Sequence, residues 1–235
     1  MPPETFCASR ASGRFGRRIL WLLAFLSILA VACETRTPMR IRPGPVVAAS
    51  RIARSDGSMR KIAVMPFYPE GPSPRSVGGG TGGVSWENAA LVASYVADAL
   101  IAQGVDVVAP SDLELAFEGQ GLPVPRLDPA TAAERASKDF GATSVVLGKV
   151  TRWREREGSA AGATRPASVA FEVSLHEAPT GRRLWTGRFD ETQASLTENI
   201  LRARQYPGGG TRWLTTEEFA RWGANEIARS MTSAP

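Results

Sequence analysis

The chain has 235 residues, of which 43% are hydrophobic and 22% charged, a composition that belongs to a globular protein rather than a disordered or fibrous one. Much of its formal charge of +5 sits in residues 1–32, which hold four arginines and one glutamate; the remainder carries +2 and lacks the concentrated basic stripe that a nucleic-acid surface needs. The two cysteines are Cys7 and Cys33, so no disulfide framework and no cysteine metal site can hold the rest of the chain together.

Arg10, Arg14, Arg17 and Arg18 precede an uncharged apolar run, Ile19 to Ala32. The run is shorter than the roughly 20 residues that a helix needs to cross the bilayer core, and residues 1–32 read as a cleaved signal peptide. Ala30-Val31-Ala32-Cys33, with Leu29 one place before the usual leucine, resembles the lipobox of bacterial lipoproteins. That resemblance implies that Cys33 becomes the lipidated first residue of the mature chain and ties it to the membrane. Ala30-x-Ala32 also fits the A-x-A site of an ordinary secretory signal, which would leave Cys33 unmodified. Glu34 stands where an aspartate would resemble an inner-membrane retention signal, so in a Gram-negative cell the expected address is the periplasmic face of the outer membrane.

Residues 33–60 contain Arg36, Arg40, Arg42, Arg51, Arg54 and Arg60 against Glu34 and Asp56, with Pro38, Pro43, Gly44 and Pro45. Without a sustained apolar period, this stretch is expected to be a flexible basic tether, solvated or resting on anionic head groups. Residues 61–235, about 175 in number, suffice for one domain that buries roughly 70% of its unfolded surface.

Lys61-Ile-Ala-Val-Met-Pro-Phe67 predicts a buried strand that ends at a proline, followed by a Gly- and Pro-rich loop from Tyr68 to Val84. Ser85 can cap a helix in which Leu91, Tyr95 and Ala99, beside Val92, Val96 and Leu100, form an apolar stripe before Gly104. Val105 to Ala109 predicts a strand, and Ser111-x-x-Glu114 a capping box for a short helix to Phe117. Asp128-Pro129 opens a further helix that stops at Gly141. Three strands follow over 143–156, 168–178 and 183–191. In the second, Val169, Phe171, Val173 and Leu175 share one face while Ser168, Glu172, Ser174 and His176 share the other. Ala178-Pro-Thr-Gly181 turns the second strand into the third as a hairpin. Thr215-x-x-Glu218 is another capping box, opening a last helix with Phe219, Trp222, Ile227 and Met231 inward. The order β-α-β-α-α-β-β-β-α predicts a single α/β (α+β) domain, a mixed sheet with helices on one or both faces.

Four strings in that order resemble the periplasmic α/β lipoproteins grouped around the curli-secretion protein CsgG and the exopolysaccharide protein PelC, whose fold is related to the N-terminal domain of TolB. They are Lys61 to Phe67, Ala99-Leu-Ile-Ala-Gln-Gly104 with Val105-Asp-Val-Val108, Phe140-Gly-Ala-Thr-Ser-Val-Val-Leu-Gly-Lys-Val150, and Thr180-Gly-Arg-Arg-Leu-Trp-Thr-Gly187. Each is mostly a structural device, with Trp185 expected as a core anchor, so the resemblance bears on fold more than on function. The segment Gly158 to Pro166 is too short for a membrane-crossing hairpin and Thr192 to Thr211 lacks alternation, so a peripheral lipoprotein closer to PelC is implied rather than a pore.

No catalytic, metal or cofactor constellation emerges. His176 is the only histidine and is expected at the surface or an edge. Gly78-Gly-Gly-Thr-Gly-Gly83 lacks the Gly-Lys-Ser/Thr of a phosphate loop. Arg152-Trp153-Arg154-Glu155-Arg156 could bind a polyanionic sugar or a protein, but reads first as a strand end with solvated charges and one packed tryptophan. The expected role is that of a non-enzymatic accessory or scaffold lipoprotein in envelope assembly or export, as a possible ring homo-oligomer. The alternative is an LpoB-like regulator that binds and activates a periplasmic envelope enzyme. Contacts are expected through the loop after Phe67 and through the connection before the last helix, where Leu196, Ile200, Leu201, Tyr206 and Trp213 give more apolar content than a solvated loop needs; those side chains either pack on the parent domain or meet a neighbour. On that reading, removal of residues 195–210 leaves the fold intact.

Overall fold

The computed structural model describes residues 47–51, 57–70, 83–119, 127–195, 197–198 and 200–233. The signal, Cys33, Leu196 and nearly all of the glycine loop lie outside these. In chain order the elements are β1 (Val47–Arg51), β2 (Lys61–Val64), β3 (Tyr68–Pro69), α1 (Trp86–Ala102), β4 (Asp106–Val108), α2 (Pro110–Glu118) and α3 (Pro129–Phe140). Then come β5 (Ser144–Arg154), a small hairpin of β6 (Glu157–Gly158) and β7 (Ala163–Arg165), β8 (Ser168–Glu177), β9 (Arg183–Thr192), α4 (Ile200–Ala203) and α5 (Thr216–Thr232).

A mixed seven-stranded sheet runs β1-β9-β8-β5-β2-β4, with β3 beside β5. Its two halves follow different rules. β2 is parallel to both β4 and β5, linked by helical crossovers, whereas β5, β8, β9 and β1 form an antiparallel series. The hairpin expected at Ala178–Gly181 joins β8 to β9, with Gly181 at φ +69°.

One face of the sheet carries α1 and α5. The alternation on β8 sends Val169, Phe171, Val173 and Leu175 into this layer, where they meet Val92, Val96 and Leu100 of α1 and Phe219, Trp222 and Ile227 of α5. Trp185 is buried here too. Phe189 packs edge-on to Phe219 and Trp222 at centroid distances of 5.8 and 5.5 Å. Gly223 lets α5 come this close, since a Cβ there would lie 2.7 Å from the Phe189 ring. Both predicted caps of α1 and α5 form: the Ser85 hydroxyl accepts from the Asn88 N–H, and Thr215 and Glu218 make the reciprocal capping box.

Among the described residues, helices cover the opposite face mainly over its parallel half. Leu113 and Phe117 of α2, and Ala132, Ala133 and Ala136 of α3, pack on Ala63, Met65 and Val145. Asp128 caps α3 and Gly141 ends it in the left-handed region at φ +65°. Among the described residues, α3 reaches β8 beyond β5, and the rest of this face presents the polar stripe of β8 and its neighbours.

Three local expectations are corrected. The basic tether was expected to extend to Arg60, but Val47–Arg51 forms an edge strand antiparallel to β9, with Val47 buried in the core. A single anchored valine opposite Phe189, rather than a period, makes this strand. Ser111 caps nothing: α2 begins at Pro110 with Ala109 as its N-cap, two residues before the predicted cap, because proline's fixed φ already suits the first helical position. His176, expected at the surface or an edge, is buried.

Candidate functional site

Where the helical cover ends, the bare antiparallel half of the sheet meets the first turn of α3, and a cleft of about 310 Å³ opens between them. This volume lies at the lower end of small-molecule sites, roughly 300–1,000 Å³. Met65, Leu127, Pro129 and Leu147 supply its apolar part. Lys149, Glu172, Ser174, His176, Arg183 and Thr186 supply the polar wall, all from β5, β8 and β9.

Strand register explains why these six converge. Lys149 is opposite Glu172, Leu147 opposite Ser174 and Ser174 opposite Thr186, while a register shift after Leu175 sets His176 against Arg183. The β8–β9 turn then closes over the histidine. Gly181 approaches α3 so tightly that a Cβ would lie 2.6 Å from the Ala130 Cα, and its positive φ disfavours any side chain as well. That approach buries His176, which the sequence pattern alone places on an exposed stripe.

The imidazole is fixed by two bonds. Nδ1 lies 2.9 Å from the Gly181 carbonyl, which can only accept, so Nδ1 carries the proton. In the neutral ring Nε2 then accepts from the Ser174 hydroxyl at 3.0 Å. Burial pushes the His176 pKa down, the Gly181 carbonyl pulls the other way, and the nearby Arg183 charge lowers it further. Ser174 and His176 thus have the spacing of a nucleophile and its base. The third position, however, is a carbonyl instead of a carboxylate, and moving the serine proton onto His176 would create a cation facing Arg183. The pair is built to hold its neutral form.

From the cleft a ladder of charges crosses the bare face. Lys149 binds Glu70 at 2.5 Å and Glu172 at 3.3 Å, and Glu172 binds Arg188 at 2.6 Å. Arg188 binds Asp190 at 2.5 Å, and Asp190 in turn binds Arg152. Each cation of this ladder is matched by a carboxylate. The bond from Glu70 raises the Lys149 pKa. For Asp190 burial acts upward, but the bonds from Arg188 and Arg152 outweigh it and leave the carboxyl below its ordinary value. Arg183 is the contrast. It is exposed, lines the cleft, and has no ion pair or hydrogen bond among the described residues.

The cluster from Arg152 to Arg156 takes its structural reading. Arg152 belongs to the ladder, Trp153 is buried with its indole N–H donating to Glu155 Oε1 at 2.5 Å, and Arg156 donates to the Trp213 carbonyl at 2.6 Å. Among the described residues no group of three or more His, Cys, Asp or Glu is placed to hold a metal ion, and no helix is long and apolar enough to cross a membrane.

The residues expected to meet a partner divide. Ile200 and Leu201 on α4 are exposed, at 51% and 42%. Tyr206 is not a surface residue: it is 2% exposed and stands edge-on to Phe219 and Trp222, with centroids 5.6 and 5.2 Å away. Trp213 is half-buried. The connection carrying them is clamped at several points. Arg202 pairs with the buried Glu191, Tyr206 Oη accepts from the Ala194 N–H, and the Gln193 side chain bridges the Arg212 carbonyl and the Leu214 N–H. Burial raises the Glu191 pKa against the pull of Arg202. Removing residues 195–210 would therefore take away core, contrary to the expectation of an intact fold.

No protein-family model matches the chain, and no curated protein matches it. Among solved structures it is similar to lipoprotein GNA1162 from Neisseria meningitidis, with 18% identity over 57% of this chain and 82% of that one, at a TM-score of 0.42. It is also similar to the PelC dodecamer from Paraburkholderia phytofirmans, with 15% identity over 80% and 98% of the two chains and a TM-score of 0.45. A third likeness is to the hypothetical protein CT253 from Chlamydia trachomatis, with 13% identity over 72% and 94% and a TM-score of 0.40. All three TM-scores lie below 0.5, so none of these likenesses bears on function.

Proposed function

We propose that the protein is a lipid-anchored periplasmic lipoprotein of the outer membrane that works without catalysis, as an accessory or scaffold in envelope assembly or export, and that it does so as an oligomer. The observation that carries this reading is the apolar pair Ile200 and Leu201. These side chains stand out on a short helix that the Glu191–Arg202 pair and the inserted Tyr206 ring hold against the domain. An exposed apolar pair on a clamped element loses little conformational freedom when it docks, which favours association. The junction at Cys33 supports the membrane anchor. The Ser174–His176 pair, held neutral beside Arg183, supports a non-catalytic role.

Two measurements test this. Cys33→Ala should leave an uncleaved precursor, and normal processing with release of that variant would favour soluble secretion. Light scattering on the detergent-solubilised full chain should show an oligomer that Ile200→Asp with Leu201→Asp reduces to a monomer of unchanged thermal midpoint. Retained assembly in that folded variant would refute the assignment of the contact surface.

A further inference from the structure

We propose that the cleft beside α3 binds a small monocarboxylate with a short apolar body, its carboxylate on Arg183 and its chain over Met65, Leu127, Pro129 and Leu147. The inference is independent of the scaffold reading. It rests on an imbalance within an otherwise compensated surface. Lys149, Arg188 and Arg152 are each spent on carboxylates of the ladder, and the neighbouring Arg182 is spent on Glu177 at 3.1 Å. Arg183 alone of these cations reaches the cleft without a partner among the described residues.

The rest of the lining sets the ligand class. His176 is held neutral and donates to Gly181, so it adds no second charge. Glu172 faces the same cleft and Glu70 stands behind Lys149. Both carboxylates are compensated by Lys149 and Arg188, so among the described residues Arg183 is the one uncompensated charge lining the cleft; a monoanion matches it, whereas a dianion such as phosphate would bring a second charge with no partner there. Met65 at the end of β2 and Leu147 on β5 lie across β8 from Arg183 on β9, with Leu127 and Pro129 at the start of α3, so a ligand spanning them needs an anionic end and an apolar end. Ser174 keeps acceptor capacity while donating to His176, and can orient a polar atom in between.

Because the chain has one histidine, its imbalance can be read without assignment work. The imidazole signals of His176 report the cleft directly in nuclear magnetic resonance spectra of the full-length protein in detergent micelles. Hexanoate, as probe, should move these signals saturably with a Kd of about 1 mM or tighter. Hexanamide, the uncharged match, should bind at least roughly tenfold more weakly, the scale of one charge-assisted hydrogen bond. Burial is the main cause that lowers His176 and the Arg183 charge a smaller one, so pairing Arg183 with a carboxylate relieves only that smaller part.

Arg183→Gln should bring hexanoate down to the level of hexanamide, and Arg182→Gln should leave it unchanged. Since Arg183 is exposed and unpaired, its replacement is not expected to cost stability, and the hexanoate–hexanamide contrast on the unaltered chain needs no variant at all. N-acetyl-leucine binding more tightly than hexanoate would assign the C-terminus of a peptide as the source of the carboxylate, and the reverse a free short-chain acid. Absence of any saturable shift with both carboxylates would overturn the proposal. So would equal binding of hexanamide, or phosphate binding as tightly as hexanoate.

Discussion

Replacing Tyr206 measures whether the connection between β9 and α5 belongs to the core. Its ring is 2% exposed and touches Phe219 and Trp222 edge-on. Truncating a buried aromatic side chain to alanine costs about 3–5 kcal/mol, and the Ala194 N–H loses its acceptor at 3.2 Å as well. Tyr206→Ala should therefore lower the stability of the domain by about 4 kcal/mol in urea unfolding followed by fluorescence. Tyr206→Phe keeps the ring contacts and removes only the hydroxyl, so its cost should be about 1–2 kcal/mol. Burial raises the pKa of this phenol. The folded state then holds a proton that the unfolded chain releases, so the group withdraws stability as pH rises above about 10. Tyr206→Phe should lessen that alkaline loss. If Tyr206→Ala costs less than about 1 kcal/mol, the range of a surface substitution, the connection is not part of the core and the clamped surface proposed for Ile200 and Leu201 fails with it.

Trp185 is 2% exposed, with an indole N–H that has no hydrogen-bond partner among the described residues; Trp185→Ala should cost about 3–5 kcal/mol. Trp185→Phe should cost distinctly less, because it removes an unsatisfied donor along with volume, and equal losses in thermal unfolding would contradict this. The Arg212 bond and the Thr215 backbone N–H hold Glu218 at about 2, below its ordinary 4.5. Its contribution is complete above about pH 4.5 and fades as pH falls toward 2, so acid unfolding of Glu218→Gln should be flatter over that window. The difference should be small, since the Glu218 side chain is 41% exposed. Gly181→Ala should separate the β8–β9 turn from α3 and expose His176, read as a rise of its titration midpoint toward about 6.5.

Most of the architecture was legible because strong local signals agreed with tertiary needs. Alternation on 168–177 assigned both faces of β8 correctly, Thr215 and Glu218 marked the start of α5, and Asp128-Pro129 with Gly141 bounded α3. Failures came where one residue outweighed a pattern. Pro110 overrode the Ser111 box, and β1 is held by pairing to β9 and by Val47, a register fact that no period of its own announces. Tyr206 stood open between core and partner contact for a related reason. It follows a segment with no helical or strand period, and its burial depends on the gap between Phe219 and Trp222, which are themselves inward on α5.

The site was less legible, because it is made by differences between neighbours rather than by any motif. Ser174 and His176 are visible as alternate residues of one strand, but their bond depends on the ring being turned by the Gly181 carbonyl from the following hairpin. Arg182 and Arg183 are adjacent and chemically identical in the sequence. Strand geometry sends them to opposite fates, one pairing with Glu177 and the other lining the cleft without a partner. A census of charge along the chain cannot reveal this, since the ladder from Glu70 to Arg152 cancels internally and Arg183 becomes distinctive only after that cancellation. The turn glycine decides the matter physically: by letting the hairpin settle on Ala130 it buries the histidine, walls the cleft and leaves Arg183 at its mouth.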